Sequence, residues 1–251
     1  MKMKVVQFLK NNQDVFVWSH KDMLGIDKEV IVHCLSIDPM QKPVQQKRRV
    51  FALKCNKAIV EEVDKLLAAK FIREVYYPDW QANVVMAKKS NGERRMCVDF
   101  TNLNKTCLKN SFPLPQIDQL VDLTARHERL SFMDAFSSYN QIMLDEQDQE
   151  KIAFIASQGL YCHKVMPFGL KTSSATYQRL VNCMFHDQIR RNIGVYVDDM
   201  LVKSQQIVNH LTDLEETFNT FQKYNMKLNL SKCVFAVHLK SFSDLWCHKE
   251  G

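Results

Sequence analysis

Val195-Tyr196-Val197-Asp198-Asp199-Met200-Leu201-Val202 decides how this chain is read. Two short apolar runs are joined only by Asp198 and Asp199. β-Branched and aromatic residues on either side of two turn-forming acids predict a tight hairpin with the carboxylates at its bend. Another acid closes an apolar run at Leu130-Ser131-Phe132-Met133-Asp134, which reads as a buried strand ending on a carboxylate. A carboxylate in that position is costly unless something pairs with it. A divalent cation is one such partner, because hard oxygen ligands suit Mg²⁺ and phosphate and water can complete its shell. Two ions about 3.5–4 Å apart stabilise both the attacking and the leaving oxygen of a phosphoryl displacement. From residue types alone the competing reading stays open: an ordinary Asp-Asp turn, with Asp134 a loop residue or helix cap.

Outward from the hairpin, Ile207, Leu211, Leu214, Phe218 and Phe221 recur at helical spacing and predict an amphipathic helix. Met226, Leu228 and Leu230 alternate as a strand would. Upstream, Thr172 or Ser173 is a candidate cap for a helix carrying Tyr177, Leu180, Val181, Met184 and Phe185. Val84-Val85-Met86-Ala87 and Met96-Cys97-Val98 flank Asn91-Gly92 and predict a second hairpin. Ile59, Val63, Leu66 and Leu67 predict another amphipathic helix, and Ile117, Leu120, Val121 and Leu123 a short one after Pro113 and Pro115. Residues 1–58 read as an irregular connector with a basic run at Lys47-Arg48-Arg49, and from about 238 all patterning is lost. Helices and strands mix without regular βαβ alternation, so the expected class is α+β.

The 251 residues, 46% of them hydrophobic, suffice for a real core in one domain or two small ones. A net charge of +6 leans toward a polyanionic partner. The eight cysteines form no Cys-x-x-Cys pair and no zinc-spaced cluster, and they read as free thiols. No apolar run approaches the roughly 20 residues of a membrane span, so no membrane partner is expected.

Eight blocks fall in an order that resembles the reverse transcriptases of gypsy-type LTR retrotransposons, especially the branch abundant in plants: RMCVDF at 95–100, LNK at 103–105, FPLPQID at 112–118, SFMD at 131–134, YNQI at 139–142, VMPFGL at 165–170, ATYQ at 175–178 and YVDD at 196–199. The likeness runs from about 59 to 237, and the segment before it is similar to the connector between protease and polymerase in those polyproteins. The resemblance implies a right-hand polymerase with connector 1–58, fingers 59–110 and 143–168, palm 111–142 and 169–237, and a divergent tail 238–251. It implies two Mg²⁺ ions, with Mn²⁺ as the alternative, held by Asp134, Asp198, Asp199 and the carbonyl of Ala135. It implies RNA or DNA template-primer and deoxynucleoside triphosphates as partners. Its reaction is attack of the primer 3′-hydroxyl on the α-phosphate with loss of pyrophosphate.

Further residues carry roles by the same resemblance. Arg95 would bind triphosphate, for which a guanidinium fork is suited. Tyr139 would exclude a 2′-hydroxyl, or be an ordinary core tyrosine; Phe168 and Gly169 would line the nucleotide pocket, or Phe168 simply pack. Lys232 would protonate the departing pyrophosphate or sit on the surface; Lys88 and Lys89, by their place on the Asn91-Gly92 hairpin alone, read as phosphate contacts or as solubilisers of an exposed turn. The basic run at 47–49 reads as a solvated face, with contact to nucleic acid as the alternative.

The likeness breaks in places. Thr101 stands where many relatives have arginine, Ser174 where proline or glycine is frequent, and Arg94 where tryptophan is common. After SKCVFAV at 231–237, HLKSFSDLW at 238–246 replaces the expected Phe-Leu-Gly primer grip, and no thumb follows. The expectation is therefore a C-terminally truncated reverse transcriptase, or a gene-model artefact at its tail. The alternative is an inactive remnant that at most binds nucleic acid. The family's cytoplasmic particles imply a location; nothing in the residues adds to that, and oligomeric state is not encoded visibly.

Overall fold

The computed structural model describes residues 2–20, 23–88, 92, 94–116 and 127–238. In chain order its helices are α1 (Lys2–Asn11), α2 (Leu53–Ala68), α3 (Thr101–Thr106), α4 (Ser173–Met184) and α5 (His210–Tyr224). Its strands are β1 (Val32–His33), β2 (Ile72–Glu74), β3 (Ala82–Lys88), β4 (Arg94–Val98), β5 (Arg129–Asp134), β6 (Met143–Leu144), β7 (Phe154–Ile155), β8 (Leu160–His163), β9 (Ile193–Tyr196), β10 (Asp199–Ser204) and β11 (Val234–His238). The mixture is α+β. The chain forms two compact units: Met1–Asp27, Phe112–Ser138 and Ala175–Gly251 make the first, and Lys28–Ser111 with Tyr139–Ser174 the second.

The first unit is built on an antiparallel sheet ordered β11-β5-β10-β9. Strand alternation divides its faces. Ser131, Met133, Met200 and Val202 point to one side, where all four are buried. On that side His210, at the start of α5, bonds Ser131 and Ser204. Leu214, Phe218 and Phe221 form the buried stripe of α5, and Phe185, just past α4, meets Phe221 edge-on at 5.4 Å. The opposite face carries Leu130, Phe132 and Leu201, packed against Val234 and Val237 of β11. Asp134 and Asp199 fall on this second face by the same alternation, because each lies two residues along from Phe132 or Leu201.

The second unit holds a sheet ordered β2-β8-β7-β3-β4 and a small parallel pair, β1-β6. β3 and β4 pair antiparallel from Val84↔Val98 to Lys88↔Arg94, the hairpin expected around Gly92, whose φ is 83°. α2 buries Ile59 and Val63 and starts at Leu53, earlier than its periodicity shows.

Three expectations are corrected. Residues 1–58 are not irregular throughout: α1 forms at Lys2–Asn11, Val15 and Phe16 are buried, and the Val17 and Leu228 amides bond the Leu228 and Val15 carbonyls at 3.2 and 2.9 Å, while most of the described residues between Asn12 and Ala52 lie outside regular elements. In the second unit residues 44–46 bridge Gln81, Gln46 N donating to Gln81 O at 2.9 Å and Gln81 N to Val44 O at 3.1 Å, and Arg49 pairs with Asp99 at 2.9 Å. Met226–Leu230 is not a strand; Leu228 makes isolated bridges to Phe16 and Ala135, and Leu230–Lys232 is a 3₁₀ turn. A single residue clamped between two others needs no extended run, so alternation misleads there. The hairpin bend also lies one residue earlier than the apolar runs suggest. The short helix expected at 117–123 and the tail from 239 lie outside the described residues.

Candidate functional site

β9 ends at Tyr196 and β10 begins at Asp199, its register partner, so the turn consists of Val197 and Asp198. Two-residue hairpins need a left-handed first position, and Val197 takes it with φ 50°. A β-branched residue is strained there. Two things hold it: its side chain is buried, and its amide donates to Gln178 Oε1 of α4 at 2.7 Å. Gln178 is itself fully buried and donates onward to Asn182.

This register sets the acids. Asp199 sits directly opposite Asp134 across the ladder, and the two carboxylates leave the same face. Asp198 stands beside them at the bend. Directly opposed like charges repel, and Asp134 is largely buried at 8% exposure. A cation already answers that charge: Lys232 Nζ lies 3.3 Å from both Asp134 carboxylate oxygens. Hard oxygen donors around a seat that takes a positive charge suit Mg²⁺. Among the described residues no group of three or more His, Cys, Asp or Glu is gathered closely enough to hold an ion. The register nonetheless sets Asp134 and Asp199 opposite one another, with Asp198 adjacent in sequence. Ala135 bridges Leu228 through flanking bonds, Asp134 O from Asn229 N and Phe136 N to Lys227 O, both 2.9 Å. Its own amide groups therefore face away from Leu228.

The second unit gathers a different set. The Arg95 guanidinium carbon lies 4.5 Å over the Phe168 ring, and Phe168 stacks tilted on Tyr139 at 4.8 Å. The Tyr139 and Ser174 hydroxyls meet at 2.9 Å. Gly169 has φ 95°, which an L side chain resists. Asn104 pins its loop on both sides, donating to Gly169 O at 2.7 Å and accepting from Lys171 N at 2.8 Å. Lys88 ends β3 exposed; Lys89 lies outside the described residues.

Gln178 and Asn104 were not singled out from sequence. The signal was there, since they belong to the ATYQ and LNK blocks, but an amide side chain gives no hint of which backbone it grips. Among the described residues no helix is long and apolar enough to cross a membrane.

The architecture is that of the reverse transcriptase fingers and palm. The prototype foamy virus protease-reverse transcriptase superposes with a TM-score of 0.80 at 20% identity, over 93% of this chain and 31% of that one. The foamy viral protein solved with double-stranded DNA gives 0.82 at 20% identity, over 94% and 41%. Residues 86–245 match the family described as Reverse transcriptase (RNA-dependent DNA polymerase), and the chain belongs to that family. The Pol polyprotein of Drosophila melanogaster transposon 412 is 31% identical over 198 residues, which is 77% of this chain and 16% of that polyprotein. The Schizosaccharomyces pombe Tf2-3 polyprotein is 29% identical over 178 residues, 71% of this chain and 13% of its own length. The chain thus spans less than a fifth of either relative.

Proposed function

We propose that this chain is the RNA-directed DNA polymerase part of a gypsy-type retrotransposon Pol polyprotein of the plant branch, extending a primer with deoxynucleotides along an RNA or DNA template. The observation that carries the reading is the register of Asp134 against Asp199 beside the Asp198 turn. The eight ordered motif blocks support the finer placement within the family.

Asp134, Asp198, Asp199 and the Ala135 carbonyl would hold two Mg²⁺ ions, or Mn²⁺. When bound, such ions favour the primer alkoxide and neutralise charge on the triphosphate. The residues of the chain do the rest. Two strands give the acids a rigid base, and Gln178 fixes the turn that aims Asp198. Arg95 presents its guanidinium to triphosphate oxygens, and its seat on Phe168 pre-orients it. Tyr139, tethered by Ser174, blocks a 2′-hydroxyl, and Phe168 and Gly169 shape the loop against the base. Lys89 contacts phosphate, and Lys232 Nζ gives a proton to the departing pyrophosphate. Fingers, palm and tail take the ranges expected from the sequence, and the connector 1–58 contributes its residues 1–27 to the compact unit that carries β5 and β10.

Primer extension on an RNA template with Mg²⁺ tests the proposal, with Asp198→Asn as the control. Incorporation by the wild type and its loss in the variant supports it. Equal signal from both proteins contradicts it, and no incorporation by either points to the inactive remnant.

A further inference from the structure

Lys232 is the last residue of the 3₁₀ turn Leu230–Lys232, and that turn is fastened to the acid it faces. Asn229 N donates to Asp134 O at 2.9 Å, while Asn229 Oδ1 accepts from Ser231 N at 3.1 Å and Ser231 Oγ at 2.6 Å. A lever of three residues therefore runs from the peptide of Asp134 to an ammonium equidistant from its two carboxylate oxygens. That bisecting position is where a cation held by both oxygens sits. The contact is loose: 3.3 Å is longer than the roughly 2.7–2.9 Å of a strong charge-assisted bond. The Lys232 side chain is also 59% exposed against 12% for Asp134, so it can swing into water without crossing the core.

We propose that Lys232 is an exchangeable internal counter-ion of the metal seat, its ammonium guarding Asp134 in the ion-free protein and giving way when a divalent cation enters. The need for it comes from the register. Asp134 and Asp199 are placed face to face by β5 and β10 whether or not an ion is present, and like charges so placed weaken the ladder. One positive charge relieves this, and two positive charges on a small hard ion relieve it more, so the ion wins the exchange. Because the ion pair is partly exposed, its hold is weak and the exchange costs little. The released ammonium is then free to meet the triphosphate. This rests on Asp134 holding metal, and it adds a competition that the metal must win.

The test is direct metal binding by the full chain, with Mn²⁺ as probe and electron paramagnetic resonance as readout, in the wild type, Lys232→Met, Lys232→Arg, Asp134→Asn and the Asp134→Asn/Lys232→Met double variant. Lys232→Met should bind the ion about two- to fivefold more tightly, the range expected for losing a weak competing pair. Lys232→Arg should stay near the wild type, and the gain should vanish once Asp134 is Asn. Thermal unfolding in chelator reports on folding, and Lys232→Met should melt slightly below the wild type there and catch up as Mn²⁺ is added. A folded Lys232→Met protein with unchanged or weaker affinity overturns the counter-ion role alone. A gain that persists in the double variant overturns it too, by showing a general charge effect. Wild-type affinity in Asp134→Asn, or no binding by any protein, overturns the metal reading of Asp134 and the exchange with it.

Discussion

Val197 holds a left-handed backbone at φ 50° that a valine avoids, and strain of this kind costs about 1–3 kcal/mol. It persists because Gln178 answers its amide at 2.7 Å. Gln178→Met keeps the volume and removes that acceptor, leaving a buried amide unpaired; the expected loss is about 1–3 kcal/mol in chemical denaturation. Nucleotide incorporation should fall about tenfold or more, since misplacement of a catalytic group by about 1 Å costs on the order of 10²-fold. In the second unit, Tyr139→Ala should reduce the preference for deoxy- over ribonucleotides, read as the ratio of kcat/KM for the two substrates, while Tyr139→Phe keeps the ring and most of the preference. The acids were legible from sequence because apolar runs isolate them. The amide that positions them was not, because a glutamine buried on a helix looks like any polar residue until its partner is known. The bend was displaced by one residue for a related reason: apolar content cannot tell a buried turn valine from the last residue of a strand.

Periodicity foretold α5, α2 and the β3–β4 and β9–β10 hairpins, because long amphipathic or turn-bounded segments carry their own signal. The strands β1, β2 and β6 run only two or three residues and exist through partners distant in sequence, and β7, though paired locally with β8, has only two residues, so no period announces any of them. Histidines at element ends set the acid behaviour. His210 at the start of α5 is bonded through both ring nitrogens to Ser131 and Ser204 at 2.8 Å, and burial lowers its pKa to about 4. His163 at the end of β8 is held near 4 by burial alone, between the Phe154 and Phe100 rings, with both ring nitrogens unpaired. The unfolded chain protonates its histidines near pH 6.5. A depressed folded pKa therefore means stability that is intact above about 6.5 and lost as pH falls toward 4. The loss is about 2 kcal/mol per such histidine by pH 5. His163→Leu should flatten that acid limb and, by removing unpaired buried nitrogens, hold the protein more stable at pH 5, as urea denaturation across pH 4–7.5 would show.

Across the whole chain, the segment read as a connector is structural. Val15, Phe16 and Val17 are buried in the first unit, with Phe16 edge-on to Phe218 at 5.8 Å and to Phe235 at 6.2 Å. Deleting residues 1–27 removes several buried side chains worth about 1.5–3 kcal/mol each and should lower Tm by about 10 °C or more. A deletion that leaves Tm unchanged would return the segment to a passive linker. The sequence hid this because Val15-Phe16-Val17-Trp18 is too short an apolar run to show a period, and the burial is conferred by Leu228 and α5 from the other end of the chain. The charge of +6 is legible from composition and predicts template-primer binding that weakens steeply as salt rises. The central claim, that Asp134, Asp198 and Asp199 hold the catalytic ions, is tested most directly by anomalous diffraction from crystals grown with Mn²⁺. A peak within about 2–2.5 Å of carboxylate oxygens of Asp134 and of the Asp198–Asp199 turn is the predicted result, with Lys232 moved off Asp134. A map with no peak there, and Lys232 still seated on its carboxylate at saturating Mn²⁺, would contradict the account.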